Sequence, residues 1–148
     1  MKRNSIKKLL PFILCIVLTA ATALCMTGCG DPSEGQQTYA TVFSDGTTLG
    51  QGALTFTFTV VDLQENTYTA QVSTDKETVG EALLELGLID GEMGDYGLYI
   101  KSVNGIPYDY SKDGAYWGFY INGEYAMSGV DTTDIVPGTT YTLKAVTA

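Results

Sequence analysis

The chain has 148 residues, with eight basic and seventeen acidic side chains and a formal net charge of -9 at pH 7. This length predicts one folded domain with additional segments, and the acidic surface excludes nucleic-acid binding because it repels phosphate. Histidine is absent, which removes the commonest general base, the usual zinc or cobalt ligand and every Ser-His or Cys-His arrangement. The sequence therefore predicts no enzymatic activity, no metal site and no cofactor.

The N-terminus has the pattern of a processing segment. Basic residues come first, an apolar run extends over Leu9–Leu24, and Thr27-Gly28-Cys29 follows. This order is typical of a secretory signal, and the small pair directly before the cysteine indicates a bacterial lipobox. An uncleaved membrane helix is the alternative, since the apolar run approaches spanning length. We expect a signal peptide over residues 1–28 and lipid on Cys29.

Cysteine usage agrees with lipidation. Cys15 and Cys25 lie within the predicted signal, so a processed chain keeps only Cys29 and cannot form an internal disulfide. More than one acyl chain would give stable attachment to the membrane. We therefore expect an extracytoplasmic protein that is anchored to the cell membrane through Cys29. Residues 29–52, rich in Gly, Ser, Thr, Gln and Asp, are predicted to form a flexible spacer.

The folded domain is predicted over residues 53–148. Leu54–Val61 alternates apolar side chains with threonines, as a half-buried strand does, and Thr67–Ser73 returns as its partner. Thr78-Val79-Gly80-Glu81 is a capping box that begins a short helix, and Gly87 suits its left-handed end. The first half of the domain is therefore predicted to be two strands followed by a helix.

The second half is predicted to be strands. Leu98–Val103 is a strand that Asn104-Gly105 turns back, and a second Asn-Gly pair divides the aromatic hairpin Tyr116–Val130. Pro137-Gly138 makes a further turn before the closing strand, in which residues 141, 143 and 145 are apolar. One short helix against a mixed sheet is an α+β fold, and the order of elements predicts a β-grasp-like arrangement.

The segment Asp109–Gly114 allows two interpretations. Oxygen-bearing side chains at alternate positions followed by glycine resemble the start of a calcium loop. The twelfth position is Tyr120, where such a loop needs a bidentate glutamate, and strand rather than helix follows. A plain acidic turn is the other interpretation, and it is the one we predict.

The aromatic hairpin is the remaining candidate for recognition. Strand alternation places Trp117, Phe119 and Ile121 on one face, and Tyr116 and Tyr120 on the other. Either the hairpin contacts a ligand, or Trp117 belongs to the core and the tyrosines cover a solvated sheet. The residues alone leave both interpretations open.

Five motifs resemble the C-terminal domain of transcobalamin and intrinsic factor. They resemble more closely the bacterial lipoproteins that consist of this transcobalamin-like C-terminal domain alone. The motifs are T-V-G-E-A-L-L-E-L-G-L-I at 78–89, G-L-Y-I-K-S-V-N-G-I at 97–106, Y-W-G-F-Y-I-N-G at 116–123, S-G-V-D at 128–131 and P-G-T-T-Y-T-L-K at 137–144. The resemblance implies a β-grasp-like fold without enzymatic activity.

The resemblance also implies a ligand. In the vitamin carriers this domain closes over cobalamin together with a helical barrel domain, and no segment of this sequence matches that barrel. Cobalamin or another corrinoid, captured for an uptake system, is therefore the implied small-molecule ligand. The matching ligand-side positions are Tyr116, Trp117, Tyr125, Met127, Ser128 and Gly129. The alternative is a structural or adhesive surface module that binds protein or glycan through its sheet edge or tyrosine face.

Overall fold

The computed structural model describes Tyr39 and residues 41–148. The predicted signal peptide, Cys29, and residues 30–38 and 40 of the predicted spacer lie outside the described residues. None of the helices within the described part is long and apolar enough to cross a membrane.

The described chain contains nine strands, two short α-helices and one 3₁₀ turn. In chain order they are β1 (Thr47–Gly50), β2 (Leu54–Val61), β3 (Thr67–Thr74), α1 (Val79–Glu85), β4 (Ile89–Gly94), β5 (Gly97–Val103), β6 (Ile106–Pro107), α2 (Tyr110–Asp113), β7 (Ala115–Ile121), β8 (Glu124–Tyr125), the 3₁₀ turn (Val130–Thr132) and β9 (Thr140–Thr147).

Two sheets organise these strands. The larger has six strands in the order β1-β3-β2-β9-β7-β8, and the smaller has three in the order β4-β5-β6. In the larger sheet β1 lies parallel to β3 and β2 parallel to β9, whereas the other neighbours are antiparallel. The mixed sheet and the two-turn helix α1 confirm the predicted α+β class and β-grasp-like mixed sheet.

One hydrophobic core lies against the inner face of the larger sheet. Phe56, Phe58 and Val60 of β2 are buried, as the predicted alternation requires, and the ring of Phe56 meets Tyr141 edge-on at 5.3 Å between centroids. Apolar side chains of α1 belong to the same core, including Leu83. Burying these aromatic and branched side chains supplies most of the driving force for folding.

Local sequence signals set both ends of α1. The Oγ1 atom of Thr78 accepts a hydrogen bond from the backbone nitrogen of Glu81 at 3.3 Å, which is the Thr78 half of the predicted capping box. Gly87 adopts a φ of +66°, the left-handed conformation that glycine reaches without steric cost. The predicted helix is confirmed.

The packed domain begins earlier than the boundary at residue 53 that the sequence predicts. Phe43 is buried in the core, and Thr47–Gly50 forms β1 on the edge of the larger sheet. Asn104 holds this segment, because its Oδ1 accepts from the backbone nitrogen of Phe43 at 2.8 Å and its Nδ2 donates to the Phe43 carbonyl at 3.2 Å. Residues 43–50 therefore belong to the fold and not to a flexible spacer.

Tyr108 couples the stability of the domain to alkaline pH. Its ring is buried against Trp117, and its hydroxyl accepts a hydrogen bond from the backbone nitrogen of Leu63 at 3.3 Å. Burial raises the pKa of Tyr108 above its ordinary value of 10.0. A phenol whose pKa is raised by folding stabilises the protein fully below the unfolded pKa, and that stabilisation is lost as the pH rises through the folded pKa.

We expect the free energy of unfolding to fall more steeply with pH in the wild type than in Tyr108→Phe at pH values above about 10. All other ionisable groups are common to the two proteins, so the difference in slope isolates Tyr108. Urea denaturation at a series of alkaline pH values measures it. Parallel slopes would contradict the assignment.

Candidate functional site

The six residues predicted as ligand-binding lie in three environments. Trp117 is in the core. Tyr116 and Tyr125 lie on the outer face of the larger sheet, away from α1. Met127, Ser128 and Gly129 lie in the loop between β8 and the 3₁₀ turn. The structure therefore divides the predicted site and does not bring all six residues together.

Trp117 is a core residue. It is 7% exposed, and its ring packs against Tyr108 with 5.1 Å between centroids. Its Nε1 atom is buried and has no hydrogen-bond partner among the described residues. The structure thus favours the interpretation in which Trp117 supports the fold and the tyrosines face outward.

The tyrosines of the hairpin form two separate ring pairs on the outer face. Tyr116 contacts Tyr110 with 6.5 Å between ring centroids, and Tyr120 meets Tyr125 edge-on at 5.3 Å. The predicted two-residue turn is confirmed, since Asn122 and the glycine after it have φ values of +50° and +88°. This turn returns the chain so that Tyr125 lies opposite Tyr120 in the register of β7 and β8.

A groove runs along the outer face beside Tyr120. Its volume is about 560 Å³, within the range of small-molecule sites. We call it the outer groove, and it is lined by Leu63, Glu65, Tyr120, Thr142, Lys144 and Thr147 among others. The Nζ atom of Lys144 lies 3.3 Å from Oε2 of Glu65. The outer groove therefore combines an aromatic ring, hydroxyl groups and one charge of each sign.

A second surface lies where two loops meet. The tip of the β4–β5 hairpin presents Met93, which is 73% exposed, and Tyr96, which is fully exposed. The loop after β8 presents Met127, which is 99% exposed. We call these three side chains the loop end. Large apolar side chains that remain in solvent on neighbouring loops are typical of binding surfaces.

Asp131 joins the two loops. Its Oδ2 atom would lie 2.9 Å from a Cβ atom at Gly97, at the start of β5, and its carboxylate also lies against Gly129. The helix packs closely on the same segment, because a Cβ atom at Gly80 would lie 2.9 Å from the backbone nitrogen of Asp131. Glycine at position 80 lets the backbone of this segment lie directly against α1, and glycine at position 97 leaves room for the Asp131 carboxylate beside β5.

The loop after β8 is further fixed by its own hydroxyl groups. Ser128 and Thr133 share a hydrogen bond of 2.8 Å between their side-chain oxygens, and Thr133 donates to the carbonyl of Gly129 at 2.7 Å. Ser128 therefore shapes the loop, and Met127 is the large apolar side chain that this loop leaves in solvent.

Asp109–Gly114 forms a capped helical turn. Asp109 caps α2 by accepting from the backbone nitrogen of Ser111 at 2.9 Å, and Asp113 accepts from the backbone nitrogen of Asp109 at 2.7 Å. Gly114 ends the turn with a φ of +62°. Hydrogen bonds from the Ser111 side chain and backbone lower the pKa of Asp109. The acidic side chains are thus engaged with the backbone, and the described residues contain no cluster of three or more potential metal ligands.

The sequence signals missed two of the three side chains of the loop end. Met93 and Tyr96 lie in a segment rich in glycine and acidic residues, which predicts no regular element. The presence of two large apolar side chains within such a polar turn was the signal that could have identified them as candidate contact residues. Met127 was singled out only through the family resemblance.

Comparison with known proteins relates the chain to a family model and to several solved structures, of which two are described below. The family model described as "Domain of unknown function (DUF4430)" matches residues 76–146. A crystal structure of a protein from Ruminococcus gnavus ATCC 29149 that is proposed to bind metal is 29% identical, with a TM-score of 0.62. That match covers 65% of this chain and 99% of the other. No curated protein matches the chain.

The second structure is haptocorrin in complex with Cbi. It is 19% identical with a TM-score of 0.51, and the match covers 64% of this chain and 25% of haptocorrin. At this identity the likeness shows the fold alone. The chain thus shares its fold with part of a transcobalamin-family protein and matches DUF4430 over residues 76–146.

Proposed function

We propose that this protein is a ligand-binding lipoprotein, anchored outside the cytoplasm through lipid on Cys29, that captures a corrinoid for an uptake system. It acts by binding and not by catalysis. The observation that carries the proposal is the loop end, where Tyr96 and Met127 extend fully into solvent from two loops that meet at Asp131.

The chemistry of the loop end suits a broad, partly apolar ligand. A corrin macrocycle offers a wide ring surface with methyl groups and an edge of polar amides. Methionine adapts its shape to irregular apolar surfaces, and tyrosine adds a rigid ring with a polar end. The chain has no histidine that could coordinate cobalt, so we expect binding through contacts to the macrocycle and its edge.

The two similar structures support a corrinoid as the ligand class. Haptocorrin was solved with Cbi bound, and the Ruminococcus gnavus protein is proposed to bind metal. A corrinoid contains cobalt within an organic ring, so one ligand class is compatible with both descriptions.

Changing Tyr96 and Met127 together to serine is expected to weaken cobinamide or cobalamin binding by at least about tenfold, since such anchors commonly contribute more than 1 kcal/mol each. Both side chains are exposed, so the free energy of unfolding should change by less than about 0.5 kcal/mol. Equilibrium dialysis of the full-length protein, followed by corrinoid absorbance, measures the affinity.

Val42→Ser is the matched control for this experiment. Val42 is also exposed and apolar, and its backbone nitrogen bonds the carbonyl of Asn104, which follows the far end of β5 from Tyr96. This control should bind as the wild type does. Corrinoid binding that is absent in the wild type, or equal in the double variant, would contradict the proposal and favour a structural or adhesive module.

A further inference from the structure

The outer groove contains a residue in an unfavourable backbone conformation. Glu65 has a φ of +62°, in the left-handed region that glycine and asparagine enter most easily. Its carboxylate lines the outer groove and contacts Lys144. In the described chain, two other residues that are not glycine have a left-handed conformation. Both are asparagines in Asn-Gly turns, Asn104 and Asn122.

The turn between β2 and β3 imposes this conformation on Glu65. Asp62 is buried, and its carboxylate accepts hydrogen bonds from the backbone nitrogens of Gln64 and Asn66, both at 2.9 Å, and from the Asn66 side chain at 2.8 Å. The backbone nitrogen of Glu65 in turn donates to the Asp62 carbonyl at 3.1 Å. Asp62 therefore defines the turn, and glycine would be the least costly residue at position 65.

The ion pair with Lys144 does not by itself account for a glutamate at this position. Both side chains are largely solvent-exposed, at 39% for Lys144 and 71% for Glu65. Exposed ion pairs contribute little to the free energy of unfolding. A left-handed backbone conformation at a residue other than glycine commonly destabilises a protein by more than such a pair stabilises it. Residues held in unfavourable backbone conformations are commonly found at functional sites.

We propose that the outer groove binds a neutral saccharide, with Glu65 and Lys144 bonding its hydroxyl groups and Tyr120 contacting a sugar ring. The two charges balance, so the groove favours neither an anion nor a cation. Thr142 and Thr147 add hydroxyl donors and acceptors along β9. The groove volume of about 560 Å³ can hold one or two sugar rings. This site shares no residue with the loop end.

Titration of the full-length protein with chitotriose, cellotriose and maltotriose tests the proposal. The protein should be kept in a detergent without a sugar headgroup. We expect at least one of the three to bind with a dissociation constant below about 10 mM and to shift the amide signals of Thr142 and Thr147 in NMR spectra.

Glu65→Gly is the decisive variant, because glycine fits the turn. Its thermal stability should equal or exceed that of the wild type, while saccharide affinity should fall at least about tenfold through loss of charged hydrogen bonds. Glu92→Gln is the matched control, since it removes the exposed ion pair with Lys101 on the smaller sheet, and it should bind as the wild type does. The proposal is overturned if none of the three saccharides binds, if Glu65→Gly binds as the wild type does, or if Glu92→Gln weakens binding equally.

Discussion

Replacing Trp117 with alanine is expected to lower the free energy of unfolding by about 3–5 kcal/mol, the usual cost of removing a buried tryptophan or phenylalanine ring. The side chain is 7% exposed and fills the space beside Tyr108 at 5.1 Å between ring centroids. Its removal leaves a cavity that rigid strands on either side cannot close. Urea denaturation followed by far-ultraviolet circular dichroism measures the loss.

Trp117→Phe and Tyr125→Ala are controls for this experiment. Phenylalanine keeps most of the ring volume and removes the buried Nε1 that has no partner in the described chain, so we expect a loss of about 1–2 kcal/mol. Tyr125 is exposed, so its loss should cost about 0.5 kcal/mol or less. A Trp117→Ala protein as stable as the wild type would show that Trp117 does not support the core.

Asn104→Ala is expected to lower the free energy of unfolding by about 3 kcal/mol, because two effects combine. The substitution leaves the buried backbone nitrogen and carbonyl of Phe43 without their hydrogen bonds to the Asn104 side chain. It also places alanine at a φ of +51°, where asparagine is better tolerated. Urea denaturation measures the loss, and limited proteolysis should show faster cleavage near residues 44–52.

Asn122→Ala separates the two effects. Asn122 occupies the same position of an Asn-Gly turn with a φ of +50°, but it is exposed and its Oδ1 accepts one exposed hydrogen bond from the Thr140 backbone. We expect a loss of about 1 kcal/mol for this variant. If both variants lose the same stability, the backbone conformation accounts for the cost and the buried bonds to Phe43 contribute nothing.

Elements specified by local chemistry were predictable from the sequence. The cap by Thr78 and the two Asn-Gly turns depend on residues within a few positions of each other, and strict alternation identified β2 and β9. The strand β4 was not predicted. Its sequence I-D-G-E-M-G has a single strand-forming side chain, Ile89, and pairing with β5 imposes the extended conformation across a bulge between Asp90 and Gly91.

Elements specified by distant contacts were not predictable. The four-residue strand β1 carries no distinctive sequence pattern. It forms through parallel pairing with β3 and through the hydrogen bond between the Phe43 backbone and the Asn104 side chain, 61 residues away. The same limit applied to the candidate site. Alternation correctly separated Trp117 from the outward-facing tyrosines, but the approach of the two loops that carry Tyr96 and Met127 depends on tertiary contacts around Asp131. The left-handed conformation of Glu65 follows from the turn that Asp62 defines, and no pattern in the sequence predicts it.

The place of β9 in the larger sheet has a consequence for how the protein is made. This strand, formed by Thr140–Thr147, lies between β2 and β7, so the half β1-β3-β2 and the half β7-β8 are joined through it. The larger sheet can therefore close only after Thr140–Thr147 has been synthesised. Before β9 is made, the two halves have no strand through which to pair, so β9 is the element that completes the larger sheet.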